Sequence, residues 1–243
     1  MPFATETLLK EGTENRESYD WNDKFDYSSG VIAFHWSMDK ELTDLNTHNV
    51  FLAAENDEQS KASWRALRSE EIGSATDVEP FNFYVHRASK TDPTAAPTGC
   101  DAILVLVPCQ TLKRNADWAS LPRDEAIRRY KQQFNDEVIS QSRQAVLKRL
   151  AAIESLKNLE QHIIQETVDT PGTYADQYNV AAGTPFALSH GFGQLSLTRP
   201  GAQSLLPNTL FVGASSRPGN GVPLVLIGAK QASEKALKKL ESL

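Results

Sequence analysis

The chain has 243 residues, 40% of them hydrophobic, and a formal net charge of −6. That is enough apolar material for a packed core in one large domain or two small ones, and it excludes wholesale disorder. The acidic balance, with no basic stripe, excludes a nucleic-acid binder, whose phosphate contacts need clustered Lys and Arg.

In chain order, residues 1–30 are polar without a sustained period and read as a loosely held surface segment. Their start, MPFATETLLKEG, lacks the basic and apolar regions of a signal peptide. From Val31, VIAFHWSMD reads as a strand with two buried faces, and HNVFLAA (48–54) as a second. Residues 55–80 are charged and irregular, with a short helix around KASWRALRS. FNFYVHR (81–87) and DAILVLVP (101–108) read as strands, separated by the ordered loop ASKTDPTAAPTGC. Cys100 and Cys109 flank the second of these. At ~3.3 Å per residue their Cα atoms lie beyond the ~7 Å limit for a disulfide, so they read as reduced thiols of an intracellular protein.

From Pro122 to about Ile153 the pattern is helical, with Ile127, Tyr130, Phe134, Val138, Val146 and Leu150 along one stripe. HIIQETVDT (162–170) reads as a strand, and Thr170 caps a short helix opened by Pro171. TLFVG follows as a last strand, then a glycine-rich turn, then a helix to about Leu240 with Pro223 in its first turn. The first turns of that helix are apolar nearly all round, which predicts burial. Several strands and helices in this order indicate an α/β or α+β chain. The longest apolar run, GVPLVLIGA, is far short of the ~20 residues of a membrane span.

The turn 213–223 has two readings on spacing alone. It is a tight connection, or it is an anion or cofactor site, with unpaired amides at the positive end of a helix and glycines at 219 and 221. It is not a GxGxxG fingerprint. His35, His48, His86 and His162 lie on unrelated segments, so no metal site is evident.

Four segments together carry a resemblance. LFVGASSRPGNGVPLVLIGAK, FYVHRASKTDPTAAPTGCDAILVLVP, TPGTYADQYNVAAGTPFALSHGFGQLSLTRP and VIAFHWSMDKELTDLNTHNVFLA are similar to segments of the carotenoid desaturases. This is the phytoene-desaturase family of FAD-dependent flavoproteins, in its fungal and bacterial type. The segments occur in family order over roughly residues 30–235. The family's opening βαβ unit with GxGxxG has no counterpart in this sequence. Arg217 stands where the family commonly has His, and Cys100 where a polar residue is more usual.

The resemblance implies the C-terminal half of a two-domain FAD-dependent oxidoreductase fold. Beside the poorly structured N-terminal segment read at 1–30, residues 31–205 would be a portion of the substrate-binding domain with a mainly antiparallel sheet. Residues 206–243 would form the strand, loop and helix that complete the FAD-binding domain. It further implies that Gly213, Ala214, Ser215, Gly219, Asn220, Gly221, Val222 and Pro223 lie against the flavin end of FAD. The implied reaction removes two hydrogens from a C40 polyene such as phytoene, by hydride transfer to the flavin. NAD(P) is an alternative electron carrier.

The implied substrate tunnel is apolar and aromatic, with Phe34, Trp36, Phe51, Phe83, Tyr84 and Phe186 as candidates beside their reading as ordinary core. His190 is a candidate for orienting flavin or substrate, or a structural histidine. Asp92 is a candidate base, or an Asx turn before Pro93. Arg199 pairs with a cofactor group or with a carboxylate. The implied setting is peripheral contact with a membrane that dissolves the substrate. A missing FAD-binding half or a homo-oligomer is the implied protein partner. The alternative is a degenerate homologue that binds an apolar ligand or a desaturase partner without redox work.

Overall fold

The computed structural model describes residues 2–5, 25–52, 56–66, 81–112, 121–195, 198–203 and 208–241. At its centre is a five-stranded sheet formed by β1 (Gly30–Met38), β2 (His48–Phe51), β3 (Phe83–Arg87), β4 (Asp101–Cys109) and β5 (Ile163–Asp169). The spatial order is β2-β3-β4-β1-β5, and every neighbouring pair is antiparallel. In β4 all nine positions alternate between buried and half-buried, as a period of two dictates for a strand covered on one face. β1 is buried almost throughout, as a strand with two covered faces should be. The short helix expected around 61–69 appears as α1 (Asp57–Ala66), and 67–69 lie outside the described residues.

Two helices cover one face of the sheet, α2 (Arg123–Gln133) and α3 (Asp136–Leu150). This corrects the reading of 122–153 as one continuous helix. Phe134 leaves helical geometry at φ −89°, ψ 67°. Asn135 then restarts the chain, its side chain accepting from the amides of Glu137 and Val138 at 3.0 and 3.3 Å. Asp136 and Glu137 follow at the positive end, which favours the new start.

Phe34, Trp36, Met38, Phe83, Val85 and Val105 pack with Tyr130, Val146 and Leu150 in one core. Each such burial contributes about 1.5–3 kcal/mol. At one end of the core, Asp101 is buried. Its Oδ2 accepts from the Leu42 amide at 2.6 Å and lies 2.7 Å from Arg87 Nε. Arg87 also donates from Nη1 to Leu45 O, so one ion pair ties β3 and β4 to the 42–45 turn.

Thr170 ends β5 and caps α4 (Pro171–Tyr178) with a reciprocal Thr170–Thr173 capping box, as expected from the sequence. Residues 26–29 run beside 184–189. Ser28 N–H donates to Ala187 O, Ser189 N–H donates to Asp26 O, and Tyr27 bridges Leu188. The described end of the 1–30 segment is therefore fixed by backbone pairing.

TLFVG does not form a strand. Leu210 makes one isolated bridge to Gln203, and Phe211 N–H donates to Ala202 O at 2.7 Å. A strand needs a ladder, and among the described residues the pairing with 202–203 stops at this single bridge. The last helix, α5 (Val222–Glu241), forms as expected, with Pro223 in its first turn. Its apolar start is not buried, however: Val222, Leu226 and Ile227 are 74, 64 and 48% exposed. Only Gly228 and Ala232 are buried on this helix. Apolar composition predicted a covered helix, but cover has to come from a neighbour, and the described residues do not provide it. Among them, no helix is long and apolar enough to cross a membrane.

Candidate functional site

The 213–223 loop sits between the 186–200 segment and the start of α5. Gly213 O accepts from the amide and the hydroxyl of Ser216, at 3.0 and 2.9 Å, which closes the first bend. Arg217 then folds back on the preceding segment. Its amide donates to Pro200 O at 2.8 Å and its Nε to Arg199 O at 2.6 Å. The Arg217–Pro218 peptide is cis. At Gly219, φ is +145°, a backbone that favours glycine, and a Cβ would lie 2.8 Å from His190 Nε2, so the imidazole would have to move aside. Asn220 Nδ2 donates to Phe186 O at 2.7 Å. Gly228, one and a half turns into α5, lets the helix pack on the loop: a Cβ there would be 2.9 Å from Arg217 O.

The backbone polarity of this loop is one-sided. The amides of Ala214, Ser215, Gly219, Asn220, Gly221 and Val222 meet no acceptor among the described residues. Gly221 and Val222 are exposed, and α5 adds the positive end of its dipole. Such amides suit an electron-rich group, a phosphate or a ring carbonyl. Unpaired amides of this kind are chemically compatible with a carbonyl or phosphate of the FAD that the resemblance implies. A pyrophosphate cradle of the GxGxxG kind does not occur in this sequence.

Arg199 lies behind the loop and is fully buried. Its Nη2 donates to Leu188 O at 3.0 Å and Ala214 O at 2.6 Å, and Nη1 to Ser189 O at 3.1 Å. The carboxylate reading of Arg199 is thus replaced: among the described residues its partners are backbone carbonyls. Burial holds its pKa below the ordinary arginine value.

His190 is exposed at its edge and rests on Gly219. Partial burial, followed by the nearby Arg199 charge, keeps its pKa below the ordinary histidine value, so the ring is neutral at neutral pH. Gln194 was not singled out from the sequence. It clamps this region from below, taking the Asp26 amide on Oε1 at 2.6 Å and donating to Asp26 O at 2.9 Å. Nothing in its sequence context marks it, because most of its partners are main-chain atoms, with the Ser189 hydroxyl at 3.1 Å beside them.

Asp92 lies elsewhere, on the exposed β3–β4 loop. Its Oδ1 accepts from the Thr94 amide and hydroxyl at 2.9 and 2.6 Å, the Asx turn before Pro93. Those bonds hold its carboxyl below the usual range. The aromatic candidates divide between the two faces of the sheet. Phe34, Trp36 and Phe83 are at most 2% exposed on the helix-covered face, and Phe51 stacks on Phe83 there. Tyr84 points to the opposite face, beside Leu106 of β4 and Val50 of β2 in register. Phe186 is 37% exposed next to the loop. Cys100 and Cys109 are free thiols. No group of three His, Cys, Asp or Glu among the described residues is placed to hold a metal ion.

No family model matches the chain. Individual relatives do. It is 35% identical over 217 residues to the phytoene desaturase of Neurospora crassa, an alignment that covers 87% of this chain and 32% of that protein. It is 34% identical over 220 residues to the phytoene desaturase of Fusarium fujikuroi, covering 88% of this chain and 37% of that one. Similarity extends to the 4,4'-diapophytoene desaturase (4,4'-diaponeurosporene-forming) of Staphylococcus aureus, at 29% over 220 residues, 89% of this chain and 39% of that protein. The chain spans about a third of the length of these curated relatives. Along nearly nine-tenths of its own length, it is a phytoene desaturase-like sequence.

Proposed function

We propose that this chain provides the substrate-facing sheet and the flavin-facing loop of an FAD-dependent carotenoid desaturase. The observation that carries the reading is the similarity to phytoene and diapophytoene desaturases over 87–89% of the chain. The free amides of the loop support the cofactor assignment, and the exposed apolar start of α5 supports a neighbouring FAD-binding unit. The two-domain arrangement, with 31–205 in the substrate domain and 206–243 returning to the FAD domain, belongs to the same proposal.

FAD, when bound, supplies the two-electron acceptor. The residues of this chain would hold and orient. Gly213, Ala214 and Ser215, with Gly219 to Val222, would present amides to the ring, and Pro223, which has no N–H, would only line the start of α5. The positive potential of those amides would favour the charge that a reduced ring gains. The sheet face that carries Val50, Tyr84, Leu104 and Leu106 would accept an apolar C40 polyene, which offers nothing to hydrogen-bond. The buried Phe34, Trp36 and Phe83 would support that sheet from behind. The polyene would be drawn from a membrane by peripheral contact.

The test is expression in bacteria that accumulate colourless phytoene. One culture receives this chain alone, and another receives it with the FAD-binding portion of a fungal desaturase as a separate polypeptide. Coloured polyenes in the second culture support the proposal. Failure of both, with both polypeptides soluble, favours the second reading: a homologue that binds an apolar ligand or a desaturase without redox work.

A further inference from the structure

We infer that Arg199 is the positioning residue that sets the 213–223 loop with its amides outward; the inference rests on the reading of that loop as cofactor-facing. A buried guanidinium normally meets a carboxylate, because an uncompensated charge is costly to desolvate. Arg199 has instead gathered carbonyls from two separate segments, Leu188 and Ser189 on one and Ala214 on the other. Its Nε is buried with no partner among the described residues, so the fork points wholly toward those carbonyls.

The consequence follows from peptide geometry. In a trans peptide the C=O and N–H point in opposite directions. With Ala214 O on the guanidinium, the Ser215 N–H must face away from it, and with Ser189 O likewise engaged, so must the His190 N–H. Ser215 is buried and its amide meets no acceptor among the described residues. Arg199 therefore draws the Ala214 and Ser189 carbonyls inward and leaves the Ser215 and His190 amides for a ligand, while the Ser189 amide is taken by Asp26 O. The five donors of a planar fork can serve several carbonyls at once, which an ammonium on a flexible stem cannot do at fixed angles.

Hydrogen–deuterium exchange on the full chain tests this without any cofactor. In Arg199→Met, uptake is expected to rise about tenfold in peptides covering 186–195 and 211–221, while β1 and β4 exchange as in the wild type. Arg199→Lys, which keeps the charge and loses the fork, is expected to loosen the same two segments. Wild-type uptake in both segments for both variants overturns the inference. Uniform loosening that includes the sheet, unfolding among it, overturns it in favour of a general role in stability.

A parallel titration with FAD, followed by flavin fluorescence, separates this inference from the reading beneath it. Wild-type binding with Arg199→Met weaker by at least about tenfold supports both. Equal binding by the two proteins overturns the positioning role. No binding by the wild type counts against a cofactor loop that works in this chain alone, and the exchange data then decide Arg199 by themselves.

Discussion

His190 Nε2 lies 2.8 Å from where a Cβ on residue 219 would sit, so the imidazole occupies the space that glycine leaves open. The two residues come from segments nearly thirty positions apart, and they meet at the point where the loop turns toward α5.

Gly219→Ala should therefore act twice. The contact can be relieved, because the imidazole edge is exposed and can swing, but the backbone at φ +145° cannot be adopted by alanine without strain of about 1–3 kcal/mol. Thermal melts of Gly219→Ala and of the double variant with His190→Ala measure the division. The double variant should recover only part of the lost stability. Full recovery would show that the loop tolerates a Cβ and that its backbone is not what demands glycine.

His190 should titrate below the usual histidine value of about 6.5, because partial burial and then Arg199 disfavour its charged form. The folded state thus binds fewer protons than the unfolded one below that pH. The associated stability is fully present above the unfolded pKa and is lost as pH falls through the folded one. NMR titration of the ring protons measures the folded value. Arg199→Met should raise it, and an unchanged value would remove the charge from the explanation.

Asp101→Ala should be among the most damaging single changes in the sheet. It leaves Arg87 buried without its carboxylate and strips the Leu42 amide of its acceptor. Loss of one partner of a buried pair costs about 3–5 kcal/mol. A urea denaturation midpoint close to the wild type would show that water reaches Arg87 and that the pair is not dry.

On α5 the expectation is reversed. Leu226 is 64% exposed, so Leu226→Gln should change the melting of this chain by less than about 0.5 kcal/mol. The same change should reduce self-association in sedimentation runs, since an exposed apolar row is prone to it. A large fall in melting temperature would mean that this chain itself covers the helix in solution.

The sequence by itself determined whatever rests on short-range physics. Alternation marked β3 and β4, Thr170 and Pro171 marked the start of α4, and Pro223 marked the start of α5. The break between α2 and α3 was legible as well, since Asn135 followed by Asp136 and Glu137 is a capping signal; the continuous apolar stripe across it concealed the stop. Tertiary structure alone decided three things. Among the described residues TLFVG finds a single bridge and no ladder, and pairing is never a local property. The apolar start of α5 lies open to the described residues, because burial depends on what stands opposite. Arg199 binds main-chain carbonyls, which every residue carries, so no pattern of side chains could announce which ones it would find.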